Sequence, residues 1–224
     1  MEKLTKKDIK GPDAFINLAE RLAHEILKQL KPISIVLSVV VGAGIIWAGV
    51  GTYRANIEGK AQTLLFVAEK SLKATEDRFA PPPPENPAAK KDKKLEPPKV
   101  AEKPTGKLEV DYKDVLPKFQ DVVSQFPSSH GAVVASLELA RLYSEHGQND
   151  KAIEIMEKAK REVSEPTLKA LVLNRLALAF EAKGDCGKAI EQWQTIADDK
   201  SMDFYQGSSL IKAGLCFEKL KQND

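Results

Sequence analysis

The chain has 224 residues, of which 42% are hydrophobic, and its formal net charge is +2. This length suits one ordinary domain with additional segments, and the near balance of charges excludes the strong positive field that nucleic-acid binding requires. Two cysteines without C-x-x-C spacing and three scattered histidines match no metal-binding or redox motif.

Residues 1–32 form a basic N-terminal tail in which the sequence predicts an amphipathic helix. Gly11-Pro12-Asp13 is a typical helix start, and apolar residues follow at helical spacing. They are Phe15, Leu18, Ala19, Leu22, Ile26, Leu27 and Leu30. Two interpretations stay open. The helix either lies in the plane of the lipid headgroups, or it leads into the next segment, with Pro32 as a break.

Residues 33–53 carry no charge, and we interpret them as a transmembrane helix. The 21 residues would span about 31 Å as a helix, which is the thickness of a bilayer core. The segment shows no polar face, and Trp47 and Tyr53 lie toward its end, where amphipathic aromatic rings suit the membrane interface. A cleaved signal peptide fits less well, because the apolar run is too long and 32 residues precede it.

The orientation of this span follows from its short flank. Three basic residues precede it within 20 positions and four follow it, so the flanking charges alone are tied. The tail is the only short flank, and long C-terminal domains cross a membrane largely regardless of charge. We therefore expect a cytoplasmic N-terminus and a soluble domain on the other side.

Small residues within the span predict a surface for helix contact. Gly44, Ala48 and Thr52 recur at four-residue spacing, which lets two membrane helices approach closely. Glycine is also common in membrane helices in general, so the strip has a second explanation.

A helical hairpin with a long insertion follows the span. Residues 54–79 predict a helix that continues from the span, and residues 80–108 are rich in proline and lysine. Such a composition cannot bury an apolar face and predicts a disordered linker. A second helical stripe follows the linker and ends at Pro127, so the linker interrupts a hairpin rather than separating two domains.

Residues 109–224 contain an internal repeat with an offset of 37 residues. The aligned positions are Ala140, Ala177 and Gly214; Tyr143, Phe180 and Phe217; Gly147 and Gly184; and Ala152 and Ala189. Repetition of this kind is typical of stacked two-helix units. The small residues allow two helices to approach, and the aromatic ring fills the space beside them.

This order and spacing resembles the tetratricopeptide-repeat (TPR) family, which places a small residue in helix A, an aromatic three residues later, a turn glycine and a small residue in helix B. Together with the uncharged run of residues 33–53, the resemblance implies an all-α chain with one N-terminal transmembrane helix and a TPR-type α-α superhelix of about two and a half units. The sequence stops at Asp224, in the turn before a third helix B. We expect either a truncated sequence or an uncovered last helix.

Most of the chain also resembles the ancillary subunit of the bacterial Sec translocon and its envelope relatives. The resemblance lies in a short tail, one span, a hairpin and a segment that reads FPSSHGAVVASLELARLYSEHGQNDKAIEIMEKA. It implies a single-pass protein of the bacterial inner membrane, with a cytoplasmic N-terminus and a periplasmic TPR domain linked to the translocon and to periplasmic chaperones. The insertion at 80–108 departs from the family's simplest pattern. The alternatives are an organelle import receptor with a cytosolic TPR domain, or a scaffold for envelope or division assemblies.

The sequence predicts a binding protein and not an enzyme. Gly42-Ala43-Gly44 lies inside the predicted span, away from any strand that a dinucleotide site would need. The segment from Gly184 to Lys188 resembles a phosphate-binding loop only superficially, because its spacing is short and Ala189 replaces the residue that would hold magnesium. We expect no cofactor, metal, small-molecule substrate or nucleic acid.

The TPR resemblance places the partner-binding groove on the helix A face. Its predicted lining residues are Glu138, Arg141, Glu145, Asn174, Leu178, Glu181, Ile211, Leu215 and Glu218. A groove that grips a carboxylate needs several Lys, Arg and Asn side chains, and this one offers only Arg141 and Asn174. The prediction is a partner that presents an apolar or basic helix or extended segment, not an acidic chaperone tail. The alternative is that binding uses the span or the tail.

The two cysteines are predicted to be free. The repeat register places Cys186 at the start of one helix B and Cys216 in the following helix A. The two helices adjoin, but the cysteines differ by about a turn along them, which does not favour the short Cα separation of a disulfide.

Overall fold

The computed structural model describes residues 30–81 and 101–222, and this part of the chain contains helices and turns but no strand. The predicted all-α fold class is confirmed. The predicted tail helix before residue 30 and most of the Pro/Lys-rich segment, residues 82–100, lie outside the described residues.

The described residues form eight α-helices, numbered α1 to α8 in chain order. Their bounds are Leu30–Phe79, Leu108–Asp111, Leu116–Gln125, His130–Glu145, Asn149–Glu162, Pro166–Ala182, Cys186–Asp198 and Asp203–Gln222. A 3-10 turn, Lys200–Met202, precedes α8. The chain divides into two compact units, Met1–Arg54 and Ala55–Asp224.

In the first unit, the described residues are the first half of α1. Within the described part of the chain, α1 is the one helix that is long and apolar enough to cross a membrane, with a mean hydropathy of 2.1 and no buried residue in its apolar stretch. The hydroxyls of Ser38 and Thr52 donate to the carbonyls of Ser34 and Ala48, each at 2.8 Å. Both polar groups are thus satisfied on the helix itself, as a lipid environment requires. Pro32 was expected to break the chain before this segment, but it lies in the first turn of α1, where a missing N–H costs little.

In the second unit, the latter half of α1 packs through one stripe of residues. Its buried residues are Ala61, Leu65, Ala68, Leu72 and Thr75. Lys118 of α3 donates to the Ser71 hydroxyl at 2.8 Å. At the start of α4, a Cβ on Gly131 would lie 3.1 Å from the Cβ of Ala61. The spacing of three and four residues gives α1 one buried face, which contacts α3 and α4.

A tight turn precedes α2. The Glu102 amide donates to the Arg78 carbonyl at 2.9 Å, next to the end of α1. Asp111 then accepts hydrogen bonds from the amides of Thr105 and Gly106 and from the Thr105 hydroxyl, at 2.8–3.0 Å. Leu108 is fully buried, although it falls in the range whose composition predicted a solvated linker. The hydrogen bonds of the turn and the burial of Leu108 together dock this end of the segment.

The remaining helices form two helix pairs and a last single helix. The pairs are α4 with α5 and α6 with α7, and α8 packs on α7. The small residues at the contacts, Ala140, Ala152, Ala177 and Ala189, are fully buried. Gly147 and Gly184 end the first helix of each pair with φ values of 72° and 85°, a left-handed conformation that a side chain disfavours. Each pair is therefore one repeat unit with a short turn and antiparallel helices.

Candidate protein-binding surface

In the first repeat, the residues predicted to line the groove form ion pairs within the protein. The Arg141 guanidinium donates to Glu138 at 2.9 Å, to Glu145 at 3.0 Å and to Glu76 of α1 at 3.1 Å. Burial lowers the pKa of Arg141, but its hydrogen bonds and attraction to Glu138 and Glu145 outweigh that effect and raise the pKa. Arg141 is therefore engaged within the protein and is not free to bind a partner's carboxylate.

The polar groove residues of the second repeat are also paired within the protein. The Asn174 side-chain oxygen accepts hydrogen bonds from Trp193 at 3.2 Å and from Lys212 of α8 at 2.8 Å. Glu181 forms an ion pair with Lys219, also of α8. This contact raises the pKa of Lys219, chiefly through the hydrogen bond to Glu181. The two polar residues of α6 thus hold α8 in place.

The remaining predicted groove residues leave an apolar surface across α6 and α8. Leu178 is half-buried, whereas Ile211 and Leu215 are exposed by 68% and 53% of their surface. Glu218, three residues after Leu215 in α8, is also exposed. Pairing of the neighbouring charges therefore leaves the leucine and isoleucine side chains and the Glu218 carboxylate as the accessible groups of this face.

Sequence reasoning missed three residues that complete this surface, Glu76, Lys212 and Lys219. The lysines lie 38 positions after their partners Asn174 and Glu181, one more than the repeat offset. Residues at this offset face each other on successive A helices, so the offset could have indicated both pairs from the sequence. Glu76 lies 65 residues before Arg141 and is separated from it by the Pro/Lys-rich segment, and no periodicity links them.

Comparison with protein families places these helices in a known class. A family model described as a tetratricopeptide repeat-like domain matches residues 31–208, which is more than half of the chain. The chain belongs to the tetratricopeptide repeat-like domain family. No curated protein and no solved structure matches it. Domains of this family are generally scaffolds for protein interaction, and the match starts well before residue 109, where the repeats were predicted to begin.

The TPR-like domain has a second concave region that sequence reasoning did not indicate. A cleft of about 610 Å³ lies between α3, α4 and α5 and includes Val123, Ile155 and Tyr143. Lys158 and Glu162 lie at its edge, and Gln120 donates to the Tyr143 hydroxyl at 3.3 Å. The lining of the cleft is thus mainly apolar, and its half-buried Val123 and Ile155 are less exposed than Ile211 and Leu215.

The segment of the TPR-like domain that superficially resembles a phosphate loop is a helix start. Asp185 caps α7 by accepting a hydrogen bond from the Lys188 amide at 3.1 Å.

His146 bonds the Leu142 carbonyl at 2.8 Å. In the described ranges, 30–81 and 101–222, no three His, Cys, Asp or Glu residues are grouped so as to hold a metal ion.

The two cysteines of the TPR-like domain are free, buried and adjacent. The Cys186 thiol lies within hydrogen-bonding reach of Cys216, and burial together with this contact raises the pKa of Cys216 to about 12. The two thiols meet across the contact between α7 and α8.

The small-residue strip of α1 has no contact within the described residues. A Cβ on Gly44 would meet nothing within 4 Å, and the Thr52 hydroxyl bonds the carbonyl of Ala48 on its own helix. Contact of Gly44, Ala48 and Thr52 with another membrane helix stays a prediction.

Proposed function

We propose that the protein is a membrane-anchored scaffold that binds other proteins in the bacterial envelope. The apolar half of α1 is the anchor, with the N-terminus in the cytoplasm and the repeats in the periplasm. The absence of buried residues in its apolar stretch and the hydroxyls satisfied on the helix itself support the anchor. The family match supports the binding role.

The observation that carries the binding role is the apolar surface of Leu178, Ile211 and Leu215. Exposed apolar clusters next to paired charges are typical of surfaces that bind proteins. The nearby cations are engaged, since Arg141 contacts three carboxylates and Lys219 contacts Glu181. The partner is therefore an apolar or basic helix or extended segment. An acidic tail would have to compete with these internal ion pairs.

The partners that we propose are the Sec translocon and periplasmic chaperones. This assignment rests on the resemblance of the tail, span, hairpin and first repeat to the translocon's ancillary subunit. A single apolar helix followed by a repeat domain has the architecture that such a role needs.

Site-specific photocrosslinking in cells tests the proposal. A photoreactive amino acid at Leu178 or Leu215 is expected to capture translocon subunits or chaperones, identified by mass spectrometry. The matched control is Glu191, an exposed residue of α7 outside the predicted groove, which should capture little. If the groove positions give no product while Gly44 or Ala48 does, the span rather than the groove is the binding element.

A further inference from the structure

The last helix, α8, exposes a face that is buried in the preceding repeat. At the 37-residue offset, Leu210 corresponds to Leu173 and Phe217 to Phe180. Leu173 is 0% exposed and Phe180 8%, whereas Leu210 is 59% exposed and Phe217 46%. Between them lies Gly214, where an added Cβ would meet nothing within 4 Å. The face of α8 that corresponds to a helix A–helix B contact is therefore open.

The complete repeats show what covers this face. Helices α5 and α7 share the sequence Lys-Ala-Ile-Glu, beginning at Lys151 and at Lys188. The ammonium group of Lys151 lies 5.3 Å from the centre of the Tyr143 ring, and that of Lys188 lies 5.5 Å from the centre of the Phe180 ring. These are distances at which a cation is attracted to an aromatic face.

The rest of the covering helix is also common to both repeats. The alanine after each lysine is fully buried, and so is a large apolar residue four positions later. In α7 these residues are Ala189 and Trp193. An alanine at this point allows the backbones of the two helices to approach, and the large residue four positions on lies on the same face.

The position of α8 is fixed by its contacts with the preceding repeat. A side of α8 adjacent to the open face is anchored by Ala213 and Cys216, which are buried against the preceding repeat. Lys212 and Lys219 add contacts to Asn174 and Glu181. A partner therefore meets an ordered helix, and binding does not have to order the surface.

We propose that Leu210, Gly214 and Phe217 form a docking site for an amphipathic helix of a partner protein. That helix lies antiparallel to α8, with a basic residue over the Phe217 ring, an alanine or glycine against Gly214 and a large apolar residue near Leu210. The site is separate from the apolar surface of Leu178, Ile211 and Leu215, and it does not depend on that surface binding a partner.

A labelled peptide with the sequence of residues 185–199, with Ser in place of Cys186, is the probe. Fluorescence anisotropy measures its binding to the 224-residue chain in phosphatidylcholine nanodiscs, with empty nanodiscs as the blank. Saturable binding is expected, because Leu210 and Phe217 repeat the residue types that α7 covers in its own repeat. A peptide with Leu at the position of Ala189 should bind weakly, since its bulk keeps the helices apart.

Two neighbouring substitutions in the protein locate the peptide. Leu210→Asp should weaken binding by about tenfold or more, because it places a carboxylate in an apolar contact. Ile211→Asp, one residue away but on the groove side of α8, should leave binding unchanged. Both side chains are exposed, so neither variant should unfold the chain, which circular dichroism verifies.

Three results overturn the docking site. They are absence of peptide binding to the unsubstituted chain, loss of binding in Ile211→Asp but not in Leu210→Asp, and a dimer that Leu210→Asp dissociates while the peptide fails to bind. The second result assigns the peptide to the groove, and the third assigns the face to a second copy of this chain. If only the crosslinks from Leu178 and Leu215 fail, the proposed docking site is not contradicted.

Discussion

Arg141 of α4 and Glu76 of α1 form an ion pair at 3.1 Å, across 65 positions of sequence. The pair joins the helix that carries the apolar span to the first repeat. The Arg141 side chain is 25% exposed and also contacts Glu138 and Glu145. One guanidinium thus bridges three carboxylates on two helices.

Replacement of Arg141 by Ala should lower the free energy of unfolding by about 1–3 kcal/mol, because Glu76, Glu138 and Glu145 lose their shared donor. Urea unfolding followed by circular dichroism measures the change. The matched control is Lys158→Ala, which removes an exposed ion pair with Glu154 and should change stability by about 0.5 kcal/mol or less. Equal effects of the two variants would show that the Arg141 cluster contributes no more to the free energy of unfolding than an exposed ion pair does.

The hydrogen bonds of Glu58 predict that the free energy of unfolding depends on pH. Its carboxylate accepts hydrogen bonds from the amides of His130 at 2.9 Å and Gly131 at 3.2 Å, at the N-terminus of α4. Burial raises the pKa of Glu58, but the bonds from Gln62 and these two amides outweigh it, so the pKa lies below its ordinary value of 4.5. Because the folded-state pKa is depressed, the stabilisation is fully present above pH 4.5 and is lost as the pH falls through the folded-state pKa.

The substitution Glu58→Gln should cost about 1 kcal/mol at neutral pH, since it removes a negative charge from a helix N-terminus. The difference from the unsubstituted protein should shrink as the pH falls below 4.5. Glu69→Gln, an exposed change on the same helix, should show neither effect. Thermal melts across this pH range test both variants, and a pH-independent difference for Glu58→Gln would contradict the role of its charge.

Two glycines should respond oppositely to the same substitution. An added Cβ at Gly131 would lie 3.1–3.3 Å from atoms of Ala61, so Gly131→Ala should destabilise the fold by about 1–2 kcal/mol. At Gly214 the added Cβ meets nothing within 4 Å, and Gly214→Ala should raise stability by about 0.5–1 kcal/mol through helix propensity. Melting temperatures of the two variants decide this, and a shift of the same sign would be inconsistent with these contacts.

The two thiols should be unreactive in the native protein. Cys186 and Cys216 are buried, and the raised pKa of Cys216 keeps this thiol protonated near neutral pH, whereas the thiolate is the reactive form. Thiol titration should give slow reaction in the folded state and two thiols after denaturation without reductant. Fewer than two thiols in the denatured, unreduced protein would indicate that the adjacent cysteines have formed a disulfide.

Topology is the most direct test of the proposed location. In a chain with Cys186 and Cys216 replaced by serine, a new cysteine at Ser208 should react with a membrane-impermeant maleimide on intact spheroplasts. A new cysteine at Thr5 should react only after lysis. The opposite pattern would place the repeats in the cytoplasm, which is the orientation of the import-receptor alternative.

The sequence alone determined the helical class, the repeat unit and the apolar helix. Each depends on local periodicity, such as the 37-residue offset of Ala140 and Ala177 or the uncharged run of residues 33–53. Periodicity reports which residues share one helix face, and the turn glycines at 147 and 184 mark where each unit reverses. These properties do not require knowledge of any contact distant in sequence.

The tertiary structure alone decided which groove residues are accessible. The sequence placed Arg141, Asn174 and Glu181 on one face, but their partners come from other helices. Glu76 lies beyond the Pro/Lys-rich segment, and Lys212 and Lys219 lie one residue off the repeat register. Ion pairs and hydrogen bonds between helices distant in sequence leave the leucine and isoleucine side chains and Glu218 as the exposed groups. Hydrophobic periodicity shows which faces meet, but a charge pair depends on the rotation and offset of two helices, which only their packing sets.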